Sequence, residues 1–113
     1  MVLVVGGLAS GKRSYVRSLG YSDSSLSCSP EADAPVFCEL EELLRAGALD
    51  DRTFELVASK EVVVCSEVGL GVVPLDAGER AWRELVGRTC AELAARADRV
   101  VRMVCGIPVA IKG

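Results

Sequence analysis

The sequence predicts an α/β fold with a mostly parallel sheet and helices on both of its faces. Three short, mostly apolar runs, at residues 2–5, 61–65 and 100–105, predict strands, and the first two are typical of buried strands of a parallel sheet. Helical patterns separate these runs, as parallel strands require. Half of the 113 residues are hydrophobic and only 4% are aromatic, so Val, Leu and Ala must build the core. The length predicts one domain, residues 1–113, with a single core.

A glycine-rich segment connects the first predicted strand to the first predicted helix. Residues 6–12, GGLASGK, have the spacing G-x-x-x-x-G-K of a P-loop. There, backbone N–H groups wrap a phosphate chain, the lysine neutralises the β- and γ-phosphates, and the next helix points its positive end at them. The alternative is a glycine-rich turn that holds no ligand. The predicted phosphate site consists of Gly6, Gly7, Leu8, Ala9, Ser10, Gly11, Lys12, Arg13 and Ser14.

One position departs from the P-loop pattern. The residue after the lysine should be Ser or Thr, whose hydroxyl holds Mg²⁺. Here it is Arg13, and Ser14 comes one place late. Arg13 cannot ligate a cation, so the pattern predicts nucleotide binding through Lys12 but leaves metal-assisted phosphoryl transfer open.

Composition excludes several classes of protein. The net charge is −3 and basic residues form no long runs, which argues against a nucleic-acid surface. No apolar stretch is long enough to span a membrane, and no basic region precedes the first apolar run as in a secretory signal. The five cysteines are odd in number and are not spaced like metal ligands, which predicts reduced, mostly buried thiols in a cytoplasmic protein.

The sequence contains no histidine. This absence excludes Ser-His-Asp and Cys-His catalysis and zinc sites that need histidine ligands. It also excludes any phosphohistidine or nucleotidyl-histidine intermediate.

The first half of the chain contains the predicted elements with the weakest patterns. A short helix over residues 11–19 ends near Gly20, and residues 21–35, rich in Ser, Asp and Pro, are predicted to form a loop. Loops of this length inside a compact domain are often functional or mobile. The next predicted elements are a very short strand at 36–38 and helices at 39–46 and 50–59, the second capped by Asp50 or Asp51.

The second half contains the longest predicted helix, residues 76–99. Asp76 is its expected N-cap, with Glu79 completing a capping box. An apolar stripe on this helix is predicted to pack in the core: Trp82, Leu85, Val86, Thr89, Leu93 and Ala97. Residues 106–112 are expected to form a turn and an edge strand.

Three charged side chains are further site candidates. Glu67 follows the predicted strand at 61–65, and ligands of open α/β sheets bind beyond the carboxyl ends of strands. Glu67 is therefore predicted to bind Mg²⁺, directly or through water, or to accept a substrate proton; the alternative is a solvated loop glutamate. Arg80 and Arg83 share one helix face and could reach a phosphate, or could be solvated and paired with Glu79 and Glu84.

Several stretches together resemble one family, the bifunctional adenosylcobinamide kinase/adenosylcobinamide-phosphate guanylyltransferases of cobalamin biosynthesis. The resemblance covers about the first 20 and the last 55 residues, in the same order. Its most specific part is VVVCSEVGLGVVP, because family members have a strand followed by Asn-Glu-Val-Gly and Gly-Ile/Val-Val-Pro. The similar stretches are GGLASGK at 6–12, VVVCSEVGLGVVP at 62–74, ERAWRELVG at 79–87, AARADRV at 94–100 and GIPVAIK at 106–112.

The resemblance implies a P-loop NTPase-like, RecA-related fold and an enzyme that phosphorylates adenosylcobinamide with ATP or GTP. It also implies transfer of GMP through a covalent histidine, and trimers. By position, residues 6–12 would bind nucleotide phosphates and Glu67 would lie in the active site, with Arg80 and Arg83 nearby. An oligomer held by apolar side chains is expected, with these candidates: Val68, Leu70, Val72 and Val73.

The departures from the family lead to two hypotheses. Residues 21–35 replace the middle segment that normally carries the histidine, and Ser66 replaces the Asn before Glu67. Thr89 and Cys90 replace an Asn-Gln pair. Guanylyl transfer is therefore predicted to be lost. What remains is an NTP-dependent kinase or, alternatively, a non-catalytic module that binds a nucleotide, a corrinoid or a partner subunit.

Overall fold

The computed structural model describes residues 1–7, 10–68 and 76–113. Within these ranges the chain forms six strands and four α-helices, in a sheet with helices on both faces. Their order along the chain is β1 Val2–Gly6, α1 Lys12–Ser18, β2 Leu26–Ser27, β3 Val36–Phe37, α2 Leu40–Arg45, α3 Asp51–Ala58, β4 Val62–Ser66, α4 Ala77–Arg96, β5 Arg99–Val104 and β6 Ile107–Lys112.

The sheet is mostly parallel, as predicted. Its strand order is β2-β3-β4-β1-β5-β6, and β6 alone among these strands runs antiparallel, against β5. The central strand β1 pairs in parallel with β4 on one side and β5 on the other. Three neighbouring strands, β3, β4 and β1, therefore end at the same edge of the sheet, where α/β proteins bind ligands.

Alternating residues of the central strands supply two separate cores. Leu3, Val63 and Val100 point to the face covered by α2, α3 and α4. Their neighbours Val4 and Val64 point to the opposite face, which α1 covers through Val16. Burial on both faces explains why β1 and β4 consist of continuous apolar runs rather than an alternating pattern.

Most of the predicted elements are confirmed with small shifts of their ends. The predicted cap of α3 is present: the Asp50 carboxylate accepts a hydrogen bond from Thr53 N at 2.7 Å. Asp76 caps α4 as predicted, but its side chain accepts from Gly78 N. The capping box is wrong, because Glu79 pairs with Arg45 at 3.3 Å instead of reaching back to its own helix end.

Two other expectations need correction. The segment at residues 21–35 is not only a loop, because it contains a 3₁₀ turn, Asp23–Ser25, and strand β2, which pairs in parallel with β3. The cysteines are unpaired but not mostly buried: Cys28 and Cys105 are exposed, Cys90 is half-buried, and two are buried, Cys38 and Cys65. A hydrogen bond with Cys90, together with burial, raises the pKa of the Cys65 thiol.

The chain ends in a β-hairpin, in agreement with the prediction of a turn and an edge strand. Cys105 and Gly106 both have positive φ, as a tight two-residue hairpin turn requires. All six residues of β6 are exposed. In the part of the chain described, no helix is both long enough and apolar enough to cross a membrane.

Candidate functional site

A cleft of about 570 Å³ opens at the carboxyl ends of β1, β3 and β4. This volume falls within the range of small-ligand sites. The cleft combines the end of the glycine-rich segment with acidic residues that follow β3. Its lining consists of Ser10, Gly11, Lys12, Arg13, Ser14, Cys38, Glu39, Glu41, Glu42, Val64 and Ser66.

Residues 6–12, here called the glycine loop, need glycine at two described positions. Gly11 has φ of 92°, in the left-handed region, and a Cβ there would also lie 3.3 Å from Gly106 Cα. A Cβ on Gly6 would clash with the side chain of Ser10, which packs directly over it. Ser10 O accepts a hydrogen bond from Gly106 N at 3.1 Å, so the β5–β6 turn braces the loop. The predicted site residues Leu8 and Ala9 lie outside the described residues.

Lys12 lies at the start of α1 and is half-buried in the cleft wall. Its Nζ donates a hydrogen bond to Gly7 O at 2.6 Å, which turns the ammonium group back over the loop. Burial lowers the pKa of Lys12, and the charges of Glu41 and Glu67 partly offset this effect. An ammonium group that has lost part of its hydration gains from an anionic ligand.

Arg13 and Ser14, the next two predicted residues, are both exposed where they border the cleft. The Arg13 guanidinium lies 3.4 Å from Glu39 Oε1, and Cys28 Sγ donates to the other oxygen of that carboxylate at 3.3 Å. Glu39 itself has φ of 62°, which is strained for a residue other than glycine. Arg13 therefore occupies the outer rim, while the cleft wall behind it contains a different carboxylate.

That carboxylate belongs to Glu41, which sequence reasoning did not select. Glu41 is 8% exposed, although it lies in the first turn of α2. Its Oε1 accepts a hydrogen bond from Ser66 N at 2.9 Å, and Trp82 Nε1 donates to its backbone oxygen at 2.8 Å. These contacts come from β4 and α4, and they hold a negative charge in the wall that also contains Lys12.

Glu67 lies at the end of β4, beside the glycine loop, as its position in the sequence implied. Glu67 N donates to Gly6 O at 2.8 Å, which continues the pairing of β4 with β1. Both carboxylate oxygens are held by Arg102 of β5, at 2.8 and 3.1 Å. This bidentate ion pair gives the Glu67 carboxylate a defined orientation next to the glycine loop.

The two arginines of α4 differ in their surroundings. Arg80 is exposed, whereas Arg83 is half-buried. Neither is among the residues that line the described part of the cleft. Glu79, one of their expected partners, instead pairs with Arg45, which stacks on the Trp82 ring at 3.7 Å.

The mostly parallel sheet, with helices on both faces and a cleft at its carboxyl edge, is consistent with the P-loop NTPase-like class of fold. The chain belongs to the CobU family, described as cobinamide kinase / cobinamide phosphate guanyltransferase, whose family model matches residues 39–111. The match agrees with the resemblance noted in the last 55 residues. It contains Glu41 and Glu67, but the glycine loop lies before it.

Two curated relatives have the same name, bifunctional adenosylcobalamin biosynthesis protein CobU. The Salmonella typhimurium protein is 42% identical over 71 residues, which are 58% of this chain and 39% of that protein. The Escherichia coli K12 protein is 44% identical over 54 residues, or 48% of this chain and 30% of that protein. The similarity thus spans well under two thirds of either relative.

Proposed function

We propose that this chain binds ATP or GTP, with the nucleotide phosphates in the cleft against the glycine loop. The observation that carries the proposal is the position of Lys12, whose partly desolvated ammonium group lies in the wall of an open cleft. Ser10 lines the same cleft, and its buried Oγ has no hydrogen-bond partner among the described residues.

As its reaction we propose phosphorylation of the hydroxyl group of adenosylcobinamide. Phosphoryl transfer asks for little covalent chemistry from the protein, since positioning and charge neutralisation supply most of the rate. Lys12 would neutralise the γ-phosphate, and Glu67 would orient the hydroxyl or the metal from the edge of the loop. The family description, cobinamide kinase / cobinamide phosphate guanyltransferase, supports this reaction and a corrinoid as its substrate.

Isothermal titration calorimetry with ATP, GTP and adenosylcobinamide, each with and without Mg²⁺, tests the proposal. Binding of a nucleotide and of the corrinoid, followed by formation of the phosphorylated corrinoid, would support the kinase. Absence of nucleotide binding at millimolar concentration would contradict the whole proposal. Sulfate or phosphate in a crystal should lie against the glycine loop.

A non-catalytic binding module, or a partner subunit of another chain, is the second candidate. Arg13 favours it, because an arginine after the lysine provides no oxygen for a metal. The bidentate ion pair of Arg102 with Glu67 also favours the non-catalytic module, because both oxygens of the predicted catalytic carboxylate already accept hydrogen bonds. Binding of nucleotide and corrinoid without turnover would distinguish this candidate from the kinase.

We predict that the chain does not guanylylate itself. The resemblance implies a histidine nucleophile for this step, and the sequence contains no histidine. In this proposal, residues 21–35 take the place of the family's middle segment within a single domain of residues 1–113. Incubation with radiolabelled GTP, followed by denaturing electrophoresis, should give no labelled band. An acid-labile, alkali-stable band would overturn the prediction and indicate another nitrogen nucleophile.

We also predict that the chain forms a homo-oligomer, a trimer if it follows the resemblance. Exposed large apolar side chains support this prediction: Ile107 is 63% exposed and Ile111 is 60% exposed on the edge strand β6. Of the side chains expected to contribute, Val68 is half-buried, and Leu70, Val72 and Val73 lie outside the described residues. Light scattering at micromolar concentration checks the prediction, and a monodisperse species of 11.9 kDa would contradict it.

A further inference from the structure

The cleft contains a buried carboxylate, that of Glu41, which has no role in the proposed binding of the phosphates. Glu41 is more than nine-tenths buried, yet it belongs to the cleft lining together with Lys12. Among the described residues, the hydrogen bonds of its side chain involve Oε1 only, with Ser66 N as the donor. Burying a carboxylate is costly unless it is paired or binds a cation.

A divalent metal that accompanies a nucleotide fits this arrangement. Mg²⁺ keeps several of its waters and is usually held by one or two carboxylates together with substrate phosphates. The described residues contain no group of three or more acidic or cysteine side chains that could hold a metal alone. A single carboxylate beside a phosphate site therefore suits Mg²⁺ that arrives with its nucleotide.

Among the carboxylates that line the described cleft, Glu41 is the buried one; Glu42 is exposed and lies 3.7 Å from Arg45. Arg13, at the position where a P-loop has its metal-binding hydroxyl, has no oxygen to offer. Glu67 has both oxygens on Arg102, and Glu39 faces Arg13 and Cys28 at the rim. Glu41 lies in the wall itself, and its backbone oxygen is held by the Trp82 indole.

We propose that Glu41 is the protein carboxylate that holds the Mg²⁺ of a bound nucleoside triphosphate, directly or through one water. The proposal rests on the proposed nucleotide site and adds the group that substitutes for the missing hydroxyl after Lys12. It makes Glu41 a metal-positioning residue and leaves the orientation of the substrate hydroxyl to other groups.

The test compares ATP binding with Mg²⁺ and with EDTA in the wild type and in Glu41→Gln. Glutamine retains an oxygen that accepts from Ser66 N but loses the charge. Titration calorimetry and the fluorescence of Trp82, the sole tryptophan, both report binding. In the wild type, Mg²⁺ should tighten ATP binding by roughly tenfold or more, the effect of one charge-assisted contact.

In Glu41→Gln the advantage of Mg²⁺ should be lost, while ATP in EDTA binds at least as tightly as to the wild type. Removing a negative charge from the wall does not weaken the binding of metal-free phosphates. With Mn²⁺ in place of Mg²⁺, the line shape of the electron paramagnetic resonance spectrum of bound Mn²⁺·ATP should differ between the wild type and Glu41→Gln, because the surroundings of the metal change. Glu92→Gln, which removes an exposed charge from α4, is the matched control and should behave as the wild type.

Several outcomes would overturn the proposal. An unchanged Mg²⁺ advantage in Glu41→Gln would do so, as would equal weakening with and without metal, which indicates a merely structural role. Loss of the advantage in Glu67→Gln alone would assign the metal to Glu67. If the wild type binds no nucleotide in either condition, the proposed function fails together with this inference. If Glu41→Gln does not fold, Glu41→Asp replaces it. Aspartate keeps the charge, but its shorter side chain moves the carboxylate away from the metal, so ATP binding with Mg²⁺ and with EDTA can still be compared.

Discussion

Replacing Lys12 with alanine is expected to weaken ATP and GTP binding at least about tenfold. The Lys12 ammonium group lies in the cleft wall beside the glycine loop, and one charge-assisted contact to phosphate contributes about 1.5–3 kcal/mol. Titration calorimetry in EDTA measures the effect without interference from the metal.

Arg88→Ala is a suitable control, since it removes one positive charge from an exposed position on α4. Its nucleotide affinity should equal that of the wild type, because solvent and salt screen exposed charges at a distance. Lys12→Arg keeps the charge but replaces the compact ammonium group with a wider, planar one, so it should rescue binding only in part. Equal affinity of Lys12→Ala and the wild type would show that the glycine loop is not the phosphate site.

The central strands and the cap of α3 could be predicted because their signals are local. Runs of β-branched residues such as Val62 to Val64 are suited to burial on both faces, and Asp50 caps its helix through a bond to Thr53, three residues away. Strand β2 could not be found in this way. Leu26 and Ser27 have no pattern of their own, and they become a strand only by pairing with β3.

The two carboxylates Glu67 and Glu41 also differ in how far their positions depend on residues nearby in the sequence and on residues distant in it. The place of Glu67 follows from the strand before it, but its partner Arg102 comes from β5, 35 residues further along the chain. Glu41 lies in the predicted helix at 39–46, and no local pattern in the sequence sets it apart. Its burial depends on Ser66 and Trp82, which are 25 and 41 residues away in the sequence.

One signal could have pointed to Glu41 in advance. Acidic residues follow the short strand β3 directly, at the edge of the sheet where ligands bind in this class of fold. The same rule selected Glu67 after β4, and applying it to every strand end would have added Glu39, Glu41 and Glu42 to the candidates. The rule gives the place of a side chain, whereas only the tertiary contacts decide which carboxylate is buried.

Replacing Phe37 with alanine is expected to lower the free energy of unfolding by about 3–5 kcal/mol. The side chain is 0% exposed in β3, and it packs in the core under α2, α3 and α4. Domains of this kind are stable by only about 5–15 kcal/mol in total, so the change removes a large share. Urea denaturation followed by circular dichroism measures the loss.

The other phenylalanine of the chain provides a matched control. Phe54 packs against the same core but is only partly buried, with Arg96 5.2 Å from its ring centre. Phe54→Ala should therefore cost less, about 1–2 kcal/mol, because less apolar area leaves water on folding. Equal losses would contradict the prediction, because Phe37 would then contribute no more to stability than the partly buried Phe54.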